Sequence, residues 1–265
     1  MINFKKKPNQ IIKDLRLDHW LAKAQELGRD QFLYQTLPRL MMELLRQYFR
    51  LEVVGLENVP RRGRAIVAPN HSGYSGFDAL LLTHILNKDL NRIPRVLTHQ
   101  FWFLSKATAR PAQKMGFTEA TYENGVNQLK KNNLIVLFPE GEIGNFKPTS
   151  QAYQLQEFKR GFVRMAVETQ APIIPTLIIG AEETHINLKQ LKLPKALQNL
   201  IVPLPLNIIP LPVRWKIIFL PPLILPYQED SRHNRDLMRE VADDIQEQMQ
   251  EALSAALVKR GKKIF

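Results

Sequence analysis

From residue 51 onward the chain alternates short β-rich runs with helix-periodic segments, and few features restrict a fold more. The runs lie at 51–54, 65–68, 95–98, 134–138, 173–179 and 215–220, and Val, Ile and Leu dominate them. Helical patterns over 77–86, 119–131 and 158–169 separate several of them. Strands interleaved with helices pair readily in parallel, because each helix carries the chain back across a face of the sheet. The expected fold class is α/β, with a mostly parallel central sheet flanked by helices. A length of 265 residues is enough to bury one sizeable core of this kind.

Two flanks extend that core. Residues 11–27 read as a helix stopped by Gly28, and a second helix is expected over 29–48, with Pro38 as a kink. Its apolar stripe runs through Leu33, Leu37, Leu40, Met41, Leu44, Leu45 and Tyr48, with Arg39, Arg46 and Arg50 beside it. Such a pair fits either a layer packed on the core or an interfacial anchor with its arginines toward lipid phosphates. Residues 193–226 hold Pro194, Pro203, Pro205, Pro210, Pro212, Pro221, Pro222 and Pro226 among Ile, Leu and Val. Proline at that density opposes a continuous helix and central strands. The expectation is an apolar extended arm with one strand near 214–220, packed on the sheet edge or lying at a membrane surface. Residues 230–259 form an amphipathic helix carrying Leu237, Val241, Ile245, Met249 and Leu253, followed by a basic tail. Three units follow: N-terminal amphipathic helices over 1–50, an α/β domain over 51–228, and a C-terminal helix with its tail over 229–265.

With 37 Lys and Arg against 25 Asp and Glu, the net charge of +12 calls for an anionic partner or a broadly solvated basic surface. No nucleic-acid-binding module is visible, so an anionic membrane surface is the expected partner and nucleic acid is not. Lys5, Lys6 and Lys7 resemble a signal n-region, but residues 9–16 are too polar to follow as its apolar segment. No run approaches the roughly 18 apolar residues of a spanning helix. The expected location is cytoplasmic and peripheral, on the inner face of the membrane. The chain has no Cys, which removes thiolate nucleophiles and Cys-based metal sites. No zinc helix, Walker loop or dinucleotide fingerprint is present, and neither a metal nor a bound cofactor is expected.

Among six histidines, His19, His84, His185 and His233 fit structural or solvated roles, and His99 ends a strand. His71 differs. The run 66–78 reads as a strand, a small-residue loop and a helix start, the place where open α/β sheets bind ligands. A histidine there can take a proton from a hydroxyl, and Asp78 can accept its other ring N–H and support the charge. Gly73 and Gly76 let the loop fold back so that the two meet. Ser75 resembles half of a nucleophile elbow, but Phe77 stands where the second glycine would fall. A second strand end, Phe138-Pro139-Glu140-Gly141, offers a carboxylate and a close backbone approach. Lys147, Lys159, Arg160 and Arg164 can receive a phosphate or form a solvated basic face.

Asn70-His71…Asp78, Phe138-Pro139-Glu140-Gly141 and Ala171-Pro172-Ile173-Ile174-Pro175, in this order, resemble the blocks of the glycerolipid acyltransferases, the 1-acylglycerol-3-phosphate acyltransferase-like superfamily. The resemblance covers roughly 50–225. It implies transfer of a fatty acyl group from acyl-CoA or acyl carrier protein, as co-substrate, to the hydroxyl of a lysophospholipid or related lipid acceptor. By that resemblance His71 is the general base and Asp78 orients it. Glu140 and Gly141 position the acceptor, and Pro172 to Pro175 shape an acyl-binding wall. The match departs from the family at three points. Six residues separate His71 from Asp78 instead of four, as in the branch carrying Gly-Ala-Glu-Glu, here Gly180 to Glu183. Ile143 stands where an arginine follows Glu-Gly, and 116–119 also lack the family's arginine. Lys147 or the 159–164 cluster would then have to meet an acceptor phosphate. A hydrolase on the same fold and a non-catalytic lipid-binding protein are the rival expectations.

Overall fold

The computed structural model describes residues 36–71, 75–99, 103, 106–192, 201–261 and 264. The helix expected over 11–27, and the start of the next one, lie outside them. Helix α1 (Leu37–Tyr48) leads into β1 (Glu52–Val54), and β2 (Ala65–Pro69) is followed by α2 (Phe77–Lys88). Then come β3 (Arg95–Thr98), α3 (Lys106–Lys114), β4 (Phe117–Glu119), α4 (Tyr122–Lys130) and β5 (Leu134–Val136). A short α5 (Gly141–Asn145) and α6 (Gly161–Thr169) precede β6 (Ile173–Ile179) and α7 (Ala181–Thr184). The chain ends through β7 (Asn187–Lys192), β8 (Ile201–Pro205), β9 (Lys216–Phe219) and the 26-residue α8 (Arg235–Arg260).

Seven strands form one sheet in the order β1-β9-β6-β2-β5-β3-β4. Strands β2 to β6 are mutually parallel, and β9 runs antiparallel to β6 and parallel to β1. The sheet is therefore mostly parallel and flanked by helices, as the alternating pattern implies. Because both its faces are covered, the central strands carry apolar residues without alternation: every residue of β2, β5 and β6 is buried. One face packs against α4, α6 and α8, through Val126, Leu129, Phe162, Val163, Met238, Val241, Ile245, Met249 and Leu253. The other packs against α1 and α2, through Met42, Leu81, Leu82, Ile85 and Leu86. Each such side chain, taken fully from water, contributes about 1.5–3 kcal/mol before entropy is counted. The C-terminal helix is thus a layer of the core.

The proline-rich segment departs from expectation. Its strand β9 is not an edge addition; it sits between β1 and β6. Proline spacing explains this: residues 213–220, between Pro212 and Pro221, are free of proline, so every N–H of β9 can join a ladder. Pro203 and Pro205 fall in β8, which among the described residues pairs only with β7, and an edge strand tolerates a missing donor. The β7–β8 hairpin, α3 and the three-residue β4 carry too little periodic signal to be read from sequence.

A candidate active site at the ends of β2 and β5

Strand β2 delivers His71 to the carboxyl edge of the sheet, two residues beyond its last residue, Pro69. Asn70 fixes that exit. Fully buried, it donates from Nδ2 to the Ile178 carbonyl (3.1 Å) and accepts from the Ile178 N–H at Oδ1 (2.6 Å). The amide stands in for a peptide group and extends the β2–β6 ladder by one rung. Gly76 then adopts φ +70° and caps α2, which places Asp78 in the first helical turn.

His71 Nδ1 lies 2.7 Å from Asp78 Oδ2, so the two groups expected to meet do so. The Asp78 side chain is 0% exposed and the imidazole 15%. Asp78 Oδ1 accepts from the Ala79 N–H at 2.7 Å, and the helix N-terminus is a favourable setting for a carboxylate. The imidazole stacks on Phe138 with centroids 4.0 Å apart and rings 24° from parallel. Ring plane and tautomer are thereby both restrained: with Nδ1–H given to Asp78, Nε2 carries the lone pair.

Glu140 was expected as an open carboxylate at a strand tip; the structure buries it to 1% exposure. Its Oε1 accepts the His71 backbone N–H at 2.8 Å, and Oε2 accepts the Gln156 N–H at 2.8 Å. It braces the histidine from beneath. Gly144 permits this, because a Cβ there would overlap the Glu140 side chain. Gly141 has φ +59°, and a Cβ on it would come 2.8 Å from Lys159 Nζ, so the exposed Lys159 lies directly over this turn.

Lys147 is also buried, and its Nζ is held by Glu140 Oε2 (3.4 Å), the Gln154 carbonyl (3.2 Å) and Glu182 Oε1 (3.0 Å). With its side chain 3% exposed between two carboxylates, this ammonium is enclosed by the fold and is not presented to a phosphate from solvent, where the sequence suggests a receiving cation. The contact with Glu182 is close but not aligned for a hydrogen bond, leaving that Oε1 as a buried acceptor among the described residues. Burial pushes the Glu182 carboxyl up to about 7, with Glu140 adding to the rise while Lys147 and the Tyr153 N–H oppose it. Glu182 was legible only as part of the Gly-Ala-Glu-Glu run; its position after the wholly buried β6 was the available signal.

The remaining expected residues are not gathered at His71. The Arg164 guanidinium lies 4.3 Å from the Tyr122 ring centroid, on the α4–α6 side of the sheet. Arg160 takes the N-cap position of α6, with its carbonyl accepting from the Arg164 N–H. The Pro172 carbonyl accepts from Ile66 N–H, which sets it at the amino end of the parallel strands, roughly 20 Å of strand length from His71. Pro175 pairs with Ala68 inside the sheet and is itself buried. Both prolines build sheet; neither is brought to the histidine. His99, at the end of β3, forms an exposed pair with Glu142 of α5 at 2.8 Å. Among the described residues no group of three or more His, Asp or Glu is placed to hold a metal ion.

An imidazole presented at a sheet edge by a buried carboxylate, with a second carboxylate under its backbone, is a general-base arrangement. Residues 50–179 match the Acyltransferase family model. The uncharacterised protein Rv0502 of Mycobacterium tuberculosis is 34% identical over 260 residues, covering 91% of this chain and 72% of that one. The chain belongs to the acyltransferase family. A lyso-glycine lipid O-acyltransferase of Phocaeicola vulgatus is 28% identical over 130 residues, or 48% of this chain and 46% of its own. The fold is also that of the crystal structure of a 1-acyl-sn-glycerophosphate acyltransferase, PlsC, from Thermotoga maritima, with a TM-score of 0.52, 15% identity and 93% of each chain covered.

Proposed function

We propose that this acyltransferase moves a fatty acyl group from a thioester donor, acyl-CoA or acyl carrier protein, to the hydroxyl of a lysophospholipid or related lipid acceptor. The observation that carries the reading is the 2.7 Å contact between His71 Nδ1 and a wholly buried Asp78. In the step this supports, His71 Nε2 takes the hydroxyl proton as the acceptor oxygen attacks the thioester carbonyl. The new C–O bond gives a tetrahedral intermediate, with Asp78 supporting the imidazolium. Collapse breaks the C–S bond, and the imidazolium returns its proton to the departing thiolate. Glu140 acts as a positioning residue, holding the His71 backbone, and Lys159, exposed over the Gly141 turn, is the cation best sited to meet an anionic acceptor head group. The protein works at the cytoplasmic face of an anionic membrane as a peripheral enzyme; among the described residues no helix is long and apolar enough to cross one.

The test is a labelled acyl thioester, on CoA or on carrier protein, offered with a panel of lyso-lipids and read by product mass. Appearance of one diacyl product, dependent on the acceptor, is the expected result. Release of free fatty acid at the same rate with and without acceptor would replace this reading with a hydrolase.

A further inference from the structure

The β7–β8 hairpin and the turn after it hold apolar side chains in water. Asn187 is buried and pairs with Pro205, so their neighbours Ile186, Leu188, Leu204 and Leu206 share the opposite face of the hairpin. Those four are 36–66% exposed, and Ile208 and Ile209 beyond them are 86% and 79% exposed. The turn carrying these two isoleucines is built. Asn207 donates to the Thr184 and Ile209 carbonyls (3.1 and 2.8 Å) and accepts from the Ile186 N–H (2.8 Å). On its far side, the Tyr48 hydroxyl at the end of α1 donates to the Pro210 carbonyl at 2.7 Å. A contiguous apolar face held rigidly in solvent marks a binding surface.

Charge selects the occupant. From Thr184 to Gln228 the sequence has no Asp or Glu, while Lys189 and Lys192 belong to β7 itself and Lys189 is exposed beside Leu188. A second copy of the chain would bring like charges together, whereas an anionic bilayer meets both the apolar face and its cations. Position ties the face to the chemistry. At the hairpin root His185 stacks on Phe77, with centroids 6.3 Å apart, one residue from Asp78. Asn187 Nδ2 donates to the Phe146 carbonyl (2.7 Å) and Gln190 Nε2 to the Ile143 carbonyl (3.0 Å), on the α5 segment that follows Glu140. Ile143, 50% exposed, continues the apolar surface toward the site.

We infer that the exposed apolar face of the β7–β8 hairpin, with Ile208 and Ile209 in the turn at its root, is the surface by which this protein docks on an anionic lipid bilayer and turns the His71 edge toward its acceptor. The inference rests on the lipid-acceptor reading above.

The experiment measures partition of the full chain onto vesicles of phosphatidylglycerol mixed with phosphatidylcholine, and of phosphatidylcholine alone, at low salt. The Ile208→Asn/Ile209→Asn double variant is expected to partition about tenfold or more weakly onto the anionic vesicles, with an unchanged melting profile. Ile224→Asn is the control. That side chain is 80% exposed but follows Leu223, which is bridged to Ile173 at the opposite end of β6, so it should bind as the parent does. Lys189→Glu should weaken binding in a salt-dependent way. Turnover of a dispersed short-chain lyso-acceptor should stay at the parent level in all three. If the double variant melts early, Ile208→Asn alone reads the same surface. Parent-like binding by the isoleucine variants overturns the docking surface, as does equal binding to neutral vesicles or no binding by the parent chain. Loss of dispersed-acceptor turnover in the double variant would move these residues into the site instead. Intact vesicle binding without acyl transfer by the parent chain would sink the acyltransfer reading alone.

Discussion

Helix α2 takes part in two histidine–carboxylate pairs, one at each end, and they are built in opposite senses. At its start Asp78 is wholly buried and fastened by the Ala79 N–H, while its partner His71 sits on a loop with its ring partly open. In its last turns it is the imidazole that is buried: His84 has a 7% exposed side chain and meets Glu43 of α1 at 2.5 Å. Glu43 is shared with Lys88 at 2.6 Å. Burial tends to raise that carboxyl, but the bonds from Lys88 and His84 outweigh it and hold the group below its ordinary value. The first pair fixes the acid and presents the base; the second spends the base on joining α1 to α2. Contact distance alone does not separate the two. Which member is left facing outward does.

His71→Ala should reduce acyl transfer about a thousandfold or more while the chain stays folded, with a stability loss of about 1–3 kcal/mol from the buried Asp78 carboxylate left without its ring partner. His84→Ala should instead spare the reaction, lowering stability by about 1–2 kcal/mol in chemical denaturation and changing turnover less than threefold. Equal activity losses in the two would erase the distinction drawn here. Asp78→Asn should lower turnover by about a hundredfold or more, since an amide can neither support the imidazolium nor enforce the tautomer. An unchanged rate would show that the acid's burial serves only the helix start. A pH-dependent effect is expected at Glu182. Its carboxyl titrates in the fold near 7 against an ordinary 4.5, so folding favours the protonated form. The stability this gives is fully present below about 4.5 and fades as pH rises through about 7, about 3 kcal/mol in all. Glu182→Gln should remove that slope, measured as unfolding free energy from pH 5 to 8. A parallel slope in the variant would assign the titration elsewhere.

The parallel core was legible because burial on both faces writes itself into sequence as unbroken Val, Ile and Leu runs; 65–68 and 173–179 needed no correction at their starts. The His71–Asp78 meeting was legible for a related reason, since strand, glycine turn and helix start lie within one continuous stretch. What sequence order could not supply was contact across the fold. Glu140 stands 69 residues from His71, and nothing local says that its carboxylate goes under the histidine's N–H instead of out to solvent. Lys147 likewise reads as a surface cation until Glu140 and Glu182 are seen around it. Asn70, inside the quoted motif, gave no hint that its amide would pair with Ile178, 108 residues away. The β7–β8 hairpin was hidden by its own composition, because prolines that forbid a central strand are permitted on one with a free edge.

Strand β1 has a further consequence for how the molecule is made. Among the described residues its one strand neighbour in the sheet is β9, with Glu52 meeting Lys216 across 164 residues of chain. Closing so distant a contact is slow and late, since the intervening polypeptide must exist before the pairing repays its lost freedom. As the chain leaves the ribosome, α1 can settle on α2 once residue 88 has emerged, whereas β1 beside it stays unpaired until four-fifths of the polypeptide has been synthesised.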